Sequence, residues 1–94
     1  MKYDKLFETA KIGSLTLKNR FIMGAMGVGF AEMNGNPTDR TVAYYEERAK
    51  GGYALIITEV TRVQDTEFCT PLEPSLGSDK FIPGWKKVTD AVHA

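Results

Sequence analysis

Residues 54–57 read Ala-Leu-Ile-Ile, an apolar run without the in–out alternation of a half-buried strand. A strand of that kind belongs in a parallel sheet with cover on both faces. Parallel strands in turn need a long crossover between them, usually a helix. The flanking sequence offers a helix on each side. Upstream, Val42, Tyr45 and Ala49 recur at helical spacing, while Glu46, Glu47, Arg48 and Lys50 take the wetter side. Downstream, Phe81, Trp85, Val88 and Val92 form the cleanest amphipathic stripe in the chain.

Local signals set the boundaries. Gly13-Ser14, between Lys11-Ile12 and Leu15-Thr16-Leu17, reads as a tight hairpin turn. A first strand is predicted over residues 21–26, followed by the turn chemistry of Asn34-Gly35-Asn36-Pro37. Thr38 or Asp39 caps the first helix and Gly51-Gly52 stops it. The second strand is predicted over residues 53–60. After it comes a loop with Cys69, Pro71 and Pro74, then a helix capped by Ser78 or Asp79. Pro83 falls in that helix's first turn, where its missing N–H has no intrahelical partner to lose. The order is hairpin, strand, helix, strand, helix: an α/β chain with two successive βα units and right-handed parallel pairing. Two parallel strands leave open edges, so the 94 residues are expected to be the first quarter of something larger. A closed eight-fold barrel of about 250 residues fits that expectation.

Charge and composition exclude several classes of function. Twelve basic and twelve acidic side chains cancel, and no basic stripe argues for nucleic acid. No apolar run is long enough to span a membrane, and no signal-peptide pattern follows the N-terminus. The single cysteine, Cys69, excludes an internal disulfide and points to a reducing, cytoplasmic setting.

The functional message lies in residues 24–29, Gly-Ala-Met-Gly-Val-Gly, where the first strand runs into small residues. There the backbone itself can approach a flat ligand. A dinucleotide fingerprint does not fit, because Glu32 stands at the sixth position counted from Gly27 and a polar turn follows instead of a helix. No Gly-Lys-Ser/Thr accompanies the glycines, which rules out a P-loop. Cys69 has no histidine near it in sequence and reads as a free, non-catalytic thiol. His93 reads as a helix-end histidine, and Phe81 and Trp85 as core. Thr58, Glu59 and Thr61 are polar residues at the C-terminal end of an apolar strand, where parallel α/β folds place their ligands. Glu59 either serves such a site or pairs with a basic neighbour. Arg62 is either that neighbour or a phosphate contact.

Taken in series, Leu6-Phe7, Lys11-Ile12-Gly13, Leu17-Lys18-Asn19-Arg20 and Met23-Gly24-Ala25-Met26 resemble the opening of the old yellow enzyme family of flavin-dependent reductases. The flavour is that of the 2-enoate and 2,4-dienoyl-CoA reductase branch. Pro37-Thr38-Asp39, Tyr44-Tyr45-Glu46-Glu47-Arg48-Ala49, Ile56-Ile57-Thr58-Glu59 and the run from Gly84 to Ala94 keep the same order and spacing. Each motif alone is weak, and their serial agreement over nearly the whole chain is strong.

The resemblance implies that residues 1–94 are the N-terminal part of an FMN-binding (β/α)8 TIM barrel: the N-terminal hairpin and the first two βα units. It implies FMN across the C-terminal mouth, NADH or NADPH as reductant, and a small α,β-unsaturated substrate whose activated C=C bond is reduced. On that pattern Gly24, Ala25, Met26 and Gly27 touch the flavin largely through backbone, and Val60, just after Glu59, touches it too. Catalytic residues and metal ligands are not expected among these 94 residues; longer members add FAD and a 4Fe-4S cluster elsewhere. The chain departs from the family at three positions. Ala25 stands where proline is frequent, Gly27 where a threonine or cysteine tunes the flavin, and Gly29 near an aromatic substrate contact. The alternative is an inactive truncated or split-gene fragment that folds only with complementary barrel segments or as a homo-oligomer.

Overall fold

In the computed structural model, which describes residues 2–64 and 72–94, a 3-10 turn over Asp4–Phe7 leads into strands β1 (Ala10–Ile12) and β2 (Leu15–Leu17). The two pair antiparallel, with Ala10 opposite Leu17 and Ile12 opposite Leu15. Gly13 takes φ +59° at the turn between them, a conformation that costs glycine little. The Arg20 N–H donates to the Leu6 carbonyl at 2.9 Å, and the Phe7 and Phe21 rings meet at 5.5 Å. These contacts hold the N-terminal segment against the entrance to the next strand.

Strand β3 (Ile22–Met23) pairs in parallel with β4 (Leu55–Ile56), Ile22 beside Leu55 and Met23 beside Ile56. Both strands are shorter than the sequence predicts. Hydrogen bonds from Ala54 N to Phe21 O and from Ile57 N to Met23 O, each 3.0 Å, close the ladder at its two ends. Beyond Met23 the two segments no longer pair. Apolar runs report burial, whereas strand length depends on how far the neighbouring backbone stays within reach. Nor is β4 covered on both faces here: Leu55 and Ile56 are half-buried, and Ile57 is 48% exposed. The described residues form two separate two-stranded sheets and no closed barrel.

Helix α1 (Asp39–Lys50) is capped by Thr38, the first of the two predicted candidates. The Thr38 hydroxyl accepts from Thr41 N at 3.3 Å, and the Thr41 hydroxyl accepts from Thr38 N at 3.1 Å, so two orphan donors of the first turn are satisfied reciprocally. The Thr38 hydroxyl also donates to the Phe30 carbonyl at 2.5 Å, tying the cap to the preceding loop. Gly51 and Gly52 end the helix as predicted; Gly52 adopts φ +112°.

Helix α2 (Ile82–His93) starts later than its predicted caps. A 3-10 turn over Asp79–Phe81 intervenes, and the Ser78 side chain makes no capping bond. Pro83 explains the delay: its ring would clash with the carbonyl four residues earlier, so the α-helix begins with Pro83 already inside its first turn. Gly84 lets α2 approach the start of α1, since a Cβ there would lie 3.0 Å from Pro37 Cδ. The helices pack on each other and on β3–β4. Met23, Tyr45 and Val88 form the buried centre, with Val42, Tyr44, Ile56, Trp85 and Val92 against it. Phe81 is fully buried, and the Trp85 indole N–H donates to Ser75 O at 2.8 Å.

The connecting segments are knitted together beyond the strand ends. Ala31 N donates to Leu72 O, Ser75 N to Gly35 O, Arg62 N to Pro74 O and Leu76 N to Arg62 O, at 2.8–3.2 Å. Gly35 sits in the middle at φ +97°, where a Cβ would meet the Arg62 guanidinium and lie 2.7 Å from Ser75 Cβ. Among the described residues no helix is long and apolar enough to cross a membrane. Cys69 and Pro71 lie outside the described residues.

Candidate functional site

Residues 24–27 leave the sheet as soon as the ladder ends. All four are exposed, Met26 at 53%. None of their backbone N–H or C=O groups makes a hydrogen bond within the described chain. An added Cβ at Gly24 or Gly27 would have nothing within 4 Å, so open space lies in front of both. Backbone polar groups are strong and obligatory hydrogen-bonding partners. Four consecutive residues therefore present unused donors and acceptors on an open face.

The span is pinned at both ends. At its start the Met23 carbonyl accepts from Ile57 N at 3.0 Å. At its end Val28 N donates to Glu59 Oε2 at 2.7 Å, a short charge-assisted bond of the stronger kind. Glu59 is only 3% exposed, and its Oε1 has no hydrogen-bond partner among the described residues. The Glu59 N–H donates to the Tyr45 hydroxyl at 2.9 Å, which joins the end of the β4 segment to α1. Burial pushes the Tyr45 phenol above its ordinary value. The Glu59 N–H bond opposes that rise, and the Glu59 charge adds to it. The Thr61 hydroxyl closes the local turn on Glu59 O at 2.8 Å.

Val60, next to Glu59, is 46% exposed, so a half-open apolar side chain follows the clamp directly. The arrangement suits a planar ring system with donors and acceptors along its edge: backbone groups from residues 24–27 meet the edge, and an apolar side chain rests nearby. Residues 24–27 and Val60 themselves carry no nucleophilic or acidic side chain. Among the described residues no group of three or more His, Cys, Asp or Glu side chains could hold a metal ion.

The other residues singled out in the sequence separate from this cluster. Arg62 forms a buried ion pair with Glu73, Nε to Oε1 3.8 Å, so it is not the basic neighbour of Glu59. Among the described residues Glu59 makes no ion pair. His93 is exposed at the end of α2, while Phe81 and Trp85 belong to the packed interior. Sequence reasoning placed Tyr45 in the core stripe but missed its hydroxyl as a partner of the β4 segment. The available signal was the phenol itself, since a buried tyrosine hydroxyl usually finds a partner where phenylalanine would need none.

The chain is 39% identical over 92 residues to a metal reductase of Desulforamulus reducens, covering 95% of this chain and 13% of that protein. It is 37% identical over 98 residues to a cinnamate reductase of Clostridium sporogenes, covering 99% of this chain and 15% of that protein. The old yellow enzyme from Trypanosoma cruzi superposes with a TM-score of 0.90 at 37% identity, over 99% of this chain and 25% of that structure. The chain thus spans a quarter or less of the length of these relatives. The model of the NADH:flavin oxidoreductase / NADH oxidase family matches residues 5–94, and the chain belongs to that family.

Proposed function

We propose that residues 1–94 are the N-terminal part of an FMN-binding barrel and that Gly24, Ala25, Met26, Gly27 and Val60 form one wall of the flavin site. The observation that carries this reading is the exposed span 24–27, whose backbone hydrogen-bonding groups are all unused. The residues fit the group, because the open space in front of Gly24 and Gly27 lets a flat ring approach without meeting a side chain. When bound, FMN supplies hydride transfer from NADH or NADPH to the β-carbon of an activated alkene. The residues of this chain do the holding. Backbone groups of residues 24–27 orient the ring edge, and Val60 excludes water from its neighbourhood. The cinnamate reductase relative favours a conjugated C=C bond as the acceptor. Groups that anchor the substrate and protonate its α-carbon would come from other segments of the barrel, as would any FAD or 4Fe-4S unit.

A second reading concerns the 94 residues on their own. Ile22 and Ile57 are 45% and 48% exposed on a ladder of two residues per strand. That surface supports a role for complementary barrel segments in completing the fold, with no catalysis by the chain alone. Grafting residues 5–94 into the Trypanosoma cruzi old yellow enzyme in place of the equivalent segment tests the first reading. The graft should purify yellow and oxidise NADPH. A folded but colourless graft that takes up no FMN would overturn it.

A further inference from the structure

We infer that Glu59 is a positioning residue: by accepting the Val28 N–H it sets the path of residues 24–27 and so the shape of the proposed flavin wall. The inference rests on that reading of the wall, but its geometry stands apart from any ligand. The span has two anchors of different character. Its first is a ladder bond, Ile57 N to Met23 O, shared with the sheet. Its second is a single side chain reaching across from the β4 segment, Glu59 Oε2 to Val28 N at 2.7 Å. Residues 24–27 make no hydrogen bonds among the described residues, so the position of Val28 decides where their donors and acceptors face.

Glu59 is itself held. Its N–H donates to the Tyr45 hydroxyl of the buried core at 2.9 Å, and its carbonyl accepts from the Thr61 hydroxyl at 2.8 Å. The clamp therefore transmits the placement of α1 and β4 to the loop after β3. Stability alone does not account for a carboxylate at this place. Among the described residues Glu59, 3% exposed, has no ion pair, and its buried Oε1 has no hydrogen-bond partner. An apolar side chain of similar volume would carry no such desolvation cost. What it would lack is an acceptor for Val28.

Two variants of the full chain separate positioning from bulk structure. Glu59→Gln keeps a carbonyl oxygen that can accept from Val28, and Glu59→Leu removes it. In Glu59→Leu, amide exchange at Val28 should speed up by about tenfold or more, with shifted resonances for residues 24–27. Exchange at Ile57 and within α1 should stay at the wild-type rate. Glu59→Gln should restore Val28 protection. The same variants in the old yellow enzyme graft should weaken FMN binding by about tenfold for leucine and change the bound flavin's circular dichroism. Glutamine should restore both. Unchanged Val28 exchange in Glu59→Leu would overturn the clamp. Lost Val28 protection with unchanged FMN affinity and dichroism would overturn its positioning role. If Glu59→Leu does not fold, glutamine decides: a Val28 exchange rate raised to the unprotected level would overturn the inference, and retained protection would support it. If the wild-type graft binds no FMN, the flavin reading fails, while Val28 exchange and the resonances of 24–27 still decide the clamp.

Discussion

Tyr45 shows how one atom changes what a core position does. Its ring belongs to the buried centre with Met23 and Val88, and its hydroxyl accepts the Glu59 N–H. Tyr45→Phe keeps the ring and leaves that N–H unpaired, which should lower unfolding stability by about 1–3 kcal/mol in chemical denaturation. The pH dependence follows from the raised phenol. Below pH about 10 the phenol is protonated in both folded and unfolded chains, so it contributes no slope. Above that pH the unfolded chain releases the proton first, so stability falls as pH rises towards the folded-state value. Tyr45→Phe should lack this alkaline component. Glycine gives a second contrast. Gly13 and Gly35 both have positive φ, but only Gly35 has atoms crowding the Cβ position. Gly13→Ala should cost about 1–2 kcal/mol from backbone conformation alone. Gly35→Ala should cost more, because the Arg62 and Ser75 side chains must move as well. Thermal unfolding of the two variants side by side measures the difference.

Among the elements, the helices were far more legible than the strands. Helix α1 carries its start in Thr38, its stop in Gly51-Gly52 and its buried face in Tyr45, with each feature visible at its own position. Thr38→Ala removes a reciprocal cap and the bond to Phe30 O, so it should destabilise the chain by about 1–2 kcal/mol with loss of helical signal. Helix α2 shows where local reading stops. The Phe81, Trp85, Val88 and Val92 stripe was legible, yet Ser78 caps nothing because the constraint at Pro83 interposes a 3-10 turn. For the strands, residues 54–57 announced a parallel sheet, and β4 does pair in parallel. Their ladder length depends on a partner far away in the chain, which no local pattern encodes. The same limit applied to Glu59. Its place near a strand's C-terminal end was legible, although β4 stops at Ile56, but its bond to Val28, 31 residues away, was not.

For the whole molecule, the α/β order and the resemblance to flavin-dependent reductases were both readable, and the family match over residues 5–94 agrees with them. What one chain of 94 residues cannot encode locally is the cover for its outer strand faces. Ile22, Ile57 and Val60 remain about half exposed. The isolated chain should therefore bind an apolar fluorescent dye, and binding should fall when the complementary barrel segment is added. The central claim is that residues 24–27 face a flavin. Gly24 and Gly27 allow a direct test, because neither has a positive φ and neither has an atom within 4 Å of its Cβ position. Valine at either site should leave stability within about 0.5 kcal/mol of wild type. The decisive measurement is FMN affinity of the grafted barrel carrying Gly24→Val or Gly27→Val, taken together with its thermal midpoint. The account predicts affinity reduced by about tenfold or more, with the midpoint of the flavin-free barrel unchanged. Wild-type affinity in both variants would contradict it.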